Sequence, residues 1–106
     1  MRDLMGMMGQ VKQLQEKMQQ LQAELETTEV AGTSGGGLVV VTLTAKGEMK
    51  KVEIDASLMK PDEKEIVEDL VTAAHADARA KAERVVQEKA SALTGGLPLP
   101  PGLKLF

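Results

Sequence analysis

Apolar residues recur along the first quarter of the chain at Leu4, Met7, Val11, Leu14, Met18, Leu21 and Leu25, at spacings that alternate between three and four. This is an unbroken a/d heptad, with Gln10, Lys12, Gln13, Glu16 and Gln19 among the polar positions between. The pattern predicts a helix over 1–26. A stripe this narrow suits packing against one long helix rather than against a broad core. Either another subunit supplies that helix, or the chain folds back on itself as a helical hairpin.

From residue 27 the period shortens to two. "TTEVAG", Thr27 to Gly32, favours extended backbone, and "TSGGG" must then bend the chain. Leu38–Ala45 and Met49–Ala56 read as two strands joined by a two-residue turn at Lys46-Gly47. If Ala45 faces Glu48, then Leu43 faces Lys50, Val41 faces Val52 and Val39 faces Ile54. Val39, Val41, Val52 and Ile54 then share one face, while Thr42, Thr44, Met49, Lys51, Glu53 and Asp55 share the other. Leu38 and Val40 fall on that second face, where apolar side chains call for a cover such as a second chain. Residues 27–56 are thus expected to form an antiparallel sheet.

A second helix is expected over 62–93. Pro61 suits a first turn, and Asp62 and Glu65 have capping-box spacing. Ile66, Val67, Leu70, Val71, Ala74, Ala78, Ala82, Val85 and Val86 continue a helical stripe. Asp77 with Lys81, Arg79 with Glu83 and Arg84 with Glu88 stand four apart, as intrahelical pairs do. Thr94-Gly95-Gly96 ends the helix, and the prolines of "LPLPPGLKLF" make 94–106 an extended tail. The whole, 1–106, reads as one α+β domain: helix, three-stranded sheet, helix.

Composition sharpens the picture in one respect. A chain of 106 residues can build only a small core, and this one has no Trp, no Tyr and a single aromatic, Phe106. With so few bulky side chains, self-association is expected. The absence of cysteine excludes disulfides and thiolate chemistry. No run resembles a signal peptide or a membrane span, so a cytoplasmic location is expected, without a membrane partner.

Candidate enzymatic chemistry is thin. A phosphate-binding loop needs a preceding strand, a following helix, and Lys then Ser or Thr, whereas Gly35–Gly37 run into a strand. The glycines therefore read as a turn. His75, the only histidine, has no cysteine or second histidine to share a metal with, and Glu68 and Asp69 diverge on a helix. No catalytic residue, metal, cofactor or small-molecule substrate is expected.

The basic residues remain. Lys46, Lys50 and Lys51 cluster at the hairpin, Lys12 and Lys17 lie on the first helix, and Arg79, Lys81, Arg84 and Lys89 lie on the second. Without aromatics, base stacking on single strands is not available, but duplex phosphates need only Lys, Arg, Gln and backbone groups. Net charge is −3, so a dimer would carry about twice that and repel DNA at long range. Binding would have to come from local basic clusters.

Four stretches in order carry a resemblance over nearly the full chain: "LMGMMGQVKQLQEKMQQLQAELE", "GTSGGGLVVVTLTAKGEMKKVEID", "DEKEIVEDLVTAAHADARAKAE" and "LTGGLPLPPGL". Together they resemble the bacterial YbaB/EbfC family of nucleoid-associated proteins. The resemblance implies an α-β-β-β-α subunit and an intertwined homodimer with helices projecting as tweezer-like arms. It also implies binding to double-stranded DNA, nucleoid organisation and gene regulation, with recombination or repair as a further setting. From charge and exposure, the candidate DNA contacts are Lys12, Lys17, Arg79, Lys81, Arg84 and Lys89. The candidate dimer contacts are Leu14, Met18, Leu21, Leu38 and Val40. The competing function is a protein–protein adaptor whose arms grip a protein instead of DNA.

Overall fold

The computed structural model describes residues 2–93, so the expected stop at Thr94-Gly95-Gly96 and the expected tail lie outside the described residues. Element order is α1 (Arg2–Thr27), β1 (Glu29–Ser34), β2 (Val39–Thr44), β3 (Met49–Ile54) and α2 (Lys64–Leu93). The strands form one antiparallel sheet in the order β1-β2-β3. This is the α-β-β-β-α arrangement expected from the sequence.

The first helix outlasts the expected strand start at Thr27. Thr28 donates its backbone N–H and its hydroxyl to the Glu24 carbonyl, at 2.8 and 2.7 Å, and the Thr27 hydroxyl reaches the same oxygen at 3.1 Å. The hydroxyls satisfy carbonyls that a helix end leaves without partners, and this outweighs the β preference of threonine. The strand begins two residues later than expected and runs on through Thr33 and Ser34.

The central register is as expected, with Val39 opposite Ile54 and Val41 opposite Val52. Nearer the hairpin it departs: Leu43 faces Met49 rather than Lys50, because the ladder shifts between Thr42 and Leu43. The turn is also longer than the expected two residues. Thr44 accepts from Gly47 N–H and donates to Glu48 at 2.8 Å each, enclosing Ala45, Lys46 and Gly47, with Gly47 at φ 95°. A left-handed glycine closing a three-residue loop leaves one residue over, and the bulge absorbs it.

α2 lies across β1 and β2 on the face that carries Val39, Val41 and Leu43, all fully buried. Ala74 and Ala78, also fully buried, make the contact, and small side chains let the helix come close. Gly32 of β1 lies directly beneath them. A Cβ at that position would fall on the Ala78 nitrogen and the Ala74 carbonyl oxygen, the two ends of one helical hydrogen bond. Three bonds then fix the helix to the strand's outer edge. Thr33 N–H donates to Asp77 Oδ2 at 3.0 Å, Lys81 Nζ donates to the Ala31 carbonyl at 2.9 Å, and the Ser34 hydroxyl donates to the Leu70 carbonyl at 2.6 Å. The backbone groups of Ala31 and Thr33 belong to an edge strand, so the helix also occupies an edge that could otherwise recruit another strand.

The entry to α2 differs from a capping box. Pro61–Glu63 forms a 3-10 turn whose preceding residue, Lys60, makes no side-chain cap, and the helix proper starts at Lys64. Upstream, Asp55 caps its own short turn by accepting from Ser57 N–H at 3.0 Å. Gly35, Gly36 and Gly37 all have positive φ, of 60°, 68° and 99°, and lead from β1 into β2. The run is a turn, as the sequence suggests.

Candidate nucleic-acid interface

The heptad of α1 divides into two parts. Exposure falls from 67% at Leu4 through 64% at Met7, 54% at Val11 and 48% at Leu14 to 6% at Leu21 and 0% at Leu25. Leu21 and Leu25 pack with Ala45, Val85 and Val86, so this part of the seam is filled by the chain's own second helix. Leu21, expected at a subunit contact, is therefore buried within its own chain. Met18 is half-buried, and the turns before it stand clear of the body as an arm of about 20 Å.

The sheet offers further apolar surface. Leu38 precedes β2 and is exposed, and Val40 is half-buried on the side of the strand opposite Val39 and Val41. On the helix-covered face the cover stops short of β3, where Val52 is exposed although Val41 beside it is fully buried.

The cations sort by their partners. All three hairpin lysines are paired: Lys46 with Glu26 at 3.1 Å, Lys50 with Glu48 at 3.6 Å and Lys51 with Glu53 at 2.7 Å. The last of these, a hydrogen bond reinforced by the Glu53 charge, raises the Lys51 ammonium pKa above its ordinary value. On α2, Arg79 pairs with Glu83 at 3.8 Å, Lys81 with Asp77 at 3.2 Å and Lys89 with Glu24 of α1 at 3.1 Å. The expected Arg84–Glu88 pair is not formed. Among the described residues Lys12, Lys17, Lys60, Lys64 and Arg84 have no ion-pair partner.

These placements separate six candidates that look alike in sequence. Lys12 and Lys17 are exposed on α1, and Lys17 shares a cleft with Lys89 between the two helices, lined also by Gln20, Glu24 and Ala92. Arg84 is exposed and makes no ion pair, although its charge acts on Asp77. Arg79 and Lys89 hold partly exposed pairs of the kind that contributes roughly 0–1 kcal/mol and can be exchanged for a phosphate. Lys81 is different: its ammonium is committed to the Ala31 carbonyl and to Asp77 in the body. Asp77 is held below the usual carboxylate range, first by the Thr33 N–H and then by the Lys81 ammonium.

Lys60 and Lys64 are not among the sequence candidates. They flank an apolar groove formed by Leu58, Met59, Pro61 and Val67. Their signal in the sequence is two like charges four residues apart, which cannot pair with each other. Asp62, Glu63, Glu65 and Glu68 surround them, so the local field is not basic. His75 is half-buried on α2, and no cluster of three metal-binding side chains occurs among the described residues. No described helix is long and apolar enough to cross a membrane.

Comparison with known proteins places these features. A nucleoid-associated protein of Rhizobium meliloti (R00231) is 59% identical over 105 residues, covering 99% of this chain and 98% of the relative. One from Nitrobacter hamburgensis is 63% identical over 105 residues, with 99% of each covered. The crystal structure of uncharacterized protein HP0035 from Helicobacter pylori superposes with a TM-score of 0.73 at 26% identity, over 84% of this chain and 94% of that one. The family model of the YbaB/EbfC DNA-binding family matches residues 1–97, and the chain belongs to that family.

Proposed function

We propose that this protein is a homodimeric nucleoid-associated protein that binds double-stranded DNA, mainly through phosphates and with weak sequence preference. The observation that carries the reading is the distribution of free cations. Lys12, Lys17 and Arg84 are exposed and without carboxylate partners, whereas the hairpin lysines are each neutralised by a glutamate. Arg79 and Lys89 join the contact by exchanging weak pairs for phosphates, and Lys81 serves the fold rather than the DNA. With no aromatic residue in the described part of the chain, contact falls to charge and hydrogen bonding, which position a protein on a duplex without reading its bases.

Dimerisation is part of the same reading. Leu14 and Leu38 are exposed, and Met18 and Val40 are only half-buried, so each offers apolar surface that one chain does not fully cover. The names of the relatives support a nucleoid location in the bacterial cytoplasm, with effects on transcription or on recombination and repair following from DNA binding.

The test is a DNA-binding titration against salt with two charge-reversal variants, each checked for dimerisation. One carries Lys12→Glu, Lys17→Glu and Arg84→Glu; the other carries Lys46→Glu, Lys50→Glu and Lys51→Glu. Removing one phosphate interaction lowers the salt slope by about one unit, so the first variant shows a shallower slope and a similar fall in affinity on every sequence. If the hairpin variant alone fails to bind DNA, the arm is not the binding surface. A wild-type protein that shifts no DNA at low salt is the adaptor instead.

A further inference from the structure

Lys17, Gln20, Leu21 and Glu24 follow one another at helical spacing and share one face of α1. That face meets Lys89 and Ala92 of α2 across a cleft of about 380 Å³ at the root of the arm. Leu21 is buried against Val85 and Val86, and it ties the cleft to the contact between the two helices. The polar groups of the lining are two ammoniums, one amide and one carboxylate. Glu24 Oε2 accepts from Lys89 Nζ at 3.1 Å, while Lys17 has no carboxylate partner among the described residues.

Within the Lys89–Glu24 pair the two side chains are unequal: the lysine is 33% exposed and the glutamate 60%. The ammonium is the sheltered partner and the carboxylate the one open to water, so the carboxylate is the group that can turn outward. A pair this exposed is weak, whereas a phosphate placed between the two lysines answers both charges at once. With Glu24 turned away, the cleft holds two ammoniums and the Gln20 amide, which are donors from both helices, and no acid.

We propose that this cleft is a site for one backbone phosphate of a DNA duplex, occupied in the free protein by Glu24 as an internal counter-ion. The phosphate displaces the Glu24 carboxylate and lies between Lys89 and Lys17, with the Gln20 amide as a third donor. Its donors come from α1 and α2 together, so it fixes the duplex against the root of the arm, whereas Lys12 and Arg84 each act from a single helix. Glu24 thereby sets how tightly any duplex is held, without reading its sequence. The inference rests on the DNA-binding reading above and adds to it an acidic residue that opposes binding.

The test is a duplex-binding titration at low salt, with each variant checked for folding and dimerisation. Glu24→Gln removes the counter-ion and keeps the size of the side chain, and affinity should rise about fivefold, the weight of one weak ion pair. Glu24→Ala removes the carboxylate by another route and should give the same gain. Glu26→Gln is the control: it removes the same charge two residues away, from a pair of the same 3.1 Å length with Lys46 at the hairpin. It should leave affinity within about twofold of wild type. The gain should also run through the cleft, so Lys89→Gln should lower affinity about fivefold more in the Glu24→Gln background than in wild type. A gain confined to the Glu24 variants supports the assignment, as does a duplex bound by them and not by wild type. An equal gain with Glu26→Gln reduces the effect to net charge and overturns it, and so does wild-type affinity in both Glu24 variants. Those two results leave DNA binding itself standing, whereas a duplex bound by neither wild type nor any variant removes both readings.

Discussion

Gly32→Ala should be the most damaging single-methyl change in the protein. The added Cβ would land on the Ala78 nitrogen and the Ala74 oxygen, and both are helix backbone, so no side chain can rotate out of its way. α2 would have to lift from the sheet by on the order of an ångström, a gap that forfeits a quarter to a half of each van der Waals contact. The packing at stake is that of Ala74 and Ala78 against the fully buried Val39, Val41 and Leu43. Overpacking of this kind costs about 1–3 kcal/mol. Lifting the helix also stretches the bonds from Thr33 to Asp77, Lys81 to Ala31 and Ser34 to Leu70, each worth roughly 0.5–1.5 kcal/mol. Against this, alanine restricts the unfolded chain, a gain of about 0.4–1 kcal/mol. The net destabilisation is about 3 kcal/mol or more. Gly36→Ala is the control, since its Cβ meets nothing within 4 Å and the cost is that of holding alanine at φ 68°. That cost is about 1–2 kcal/mol before the same unfolded-state gain, for a net near 1. Urea unfolding at equal chain concentration measures both, with the m-value as the check on cooperativity. A Gly32→Ala protein within about 1 kcal/mol of wild type, or one no worse than Gly36→Ala, would refute the close-approach argument.

Leu25→Ala should cost roughly 2–5 kcal/mol in the same assay, because the side chain is fully buried between the two helices. Asp77→Asn should be less stable than wild type at neutral pH and should converge with it in acid. The folded carboxyl titrates below its ordinary value of 3.8, so its contribution is present above that pH and is lost as pH falls through the lower folded value. Chemical denaturation from pH 7 down to about pH 2 checks this, and parallel curves would disprove it. Val40→Asp should weaken association by placing a charge on the sheet face opposite α2, as read by sedimentation. A wild-type chain that is a compact monomer at micromolar concentration would end the dimer reading.

Local pattern determined the order of the elements in this protein. The alternating three- and four-residue spacing from Leu4 to Leu25 can only be a helical stripe. The period of two pairs Val39 with Ile54 and Val41 with Val52, because a slip of one residue would turn every buried valine outward. Pairs four apart, such as Asp77 with Lys81, are legible for the same reason, since helical geometry alone brings them together. The tertiary structure decided what each face meets. A heptad specifies a stripe but not its partner, and α2 fills the stripe at Leu21 and Leu25 while leaving Leu4 to Leu14 bare. Gly32 reads in sequence as the end of a strand, and only the arrival of α2 above it makes a missing Cβ necessary. Lys81 reads as one more surface cation, yet its ammonium lies against a strand carbonyl fifty residues away in sequence. Periodicity encodes which side of an element is apolar, whereas the approach of two backbones and the capping of an open strand edge depend on residues far apart in the chain, and these exist only once the helix has packed on the sheet.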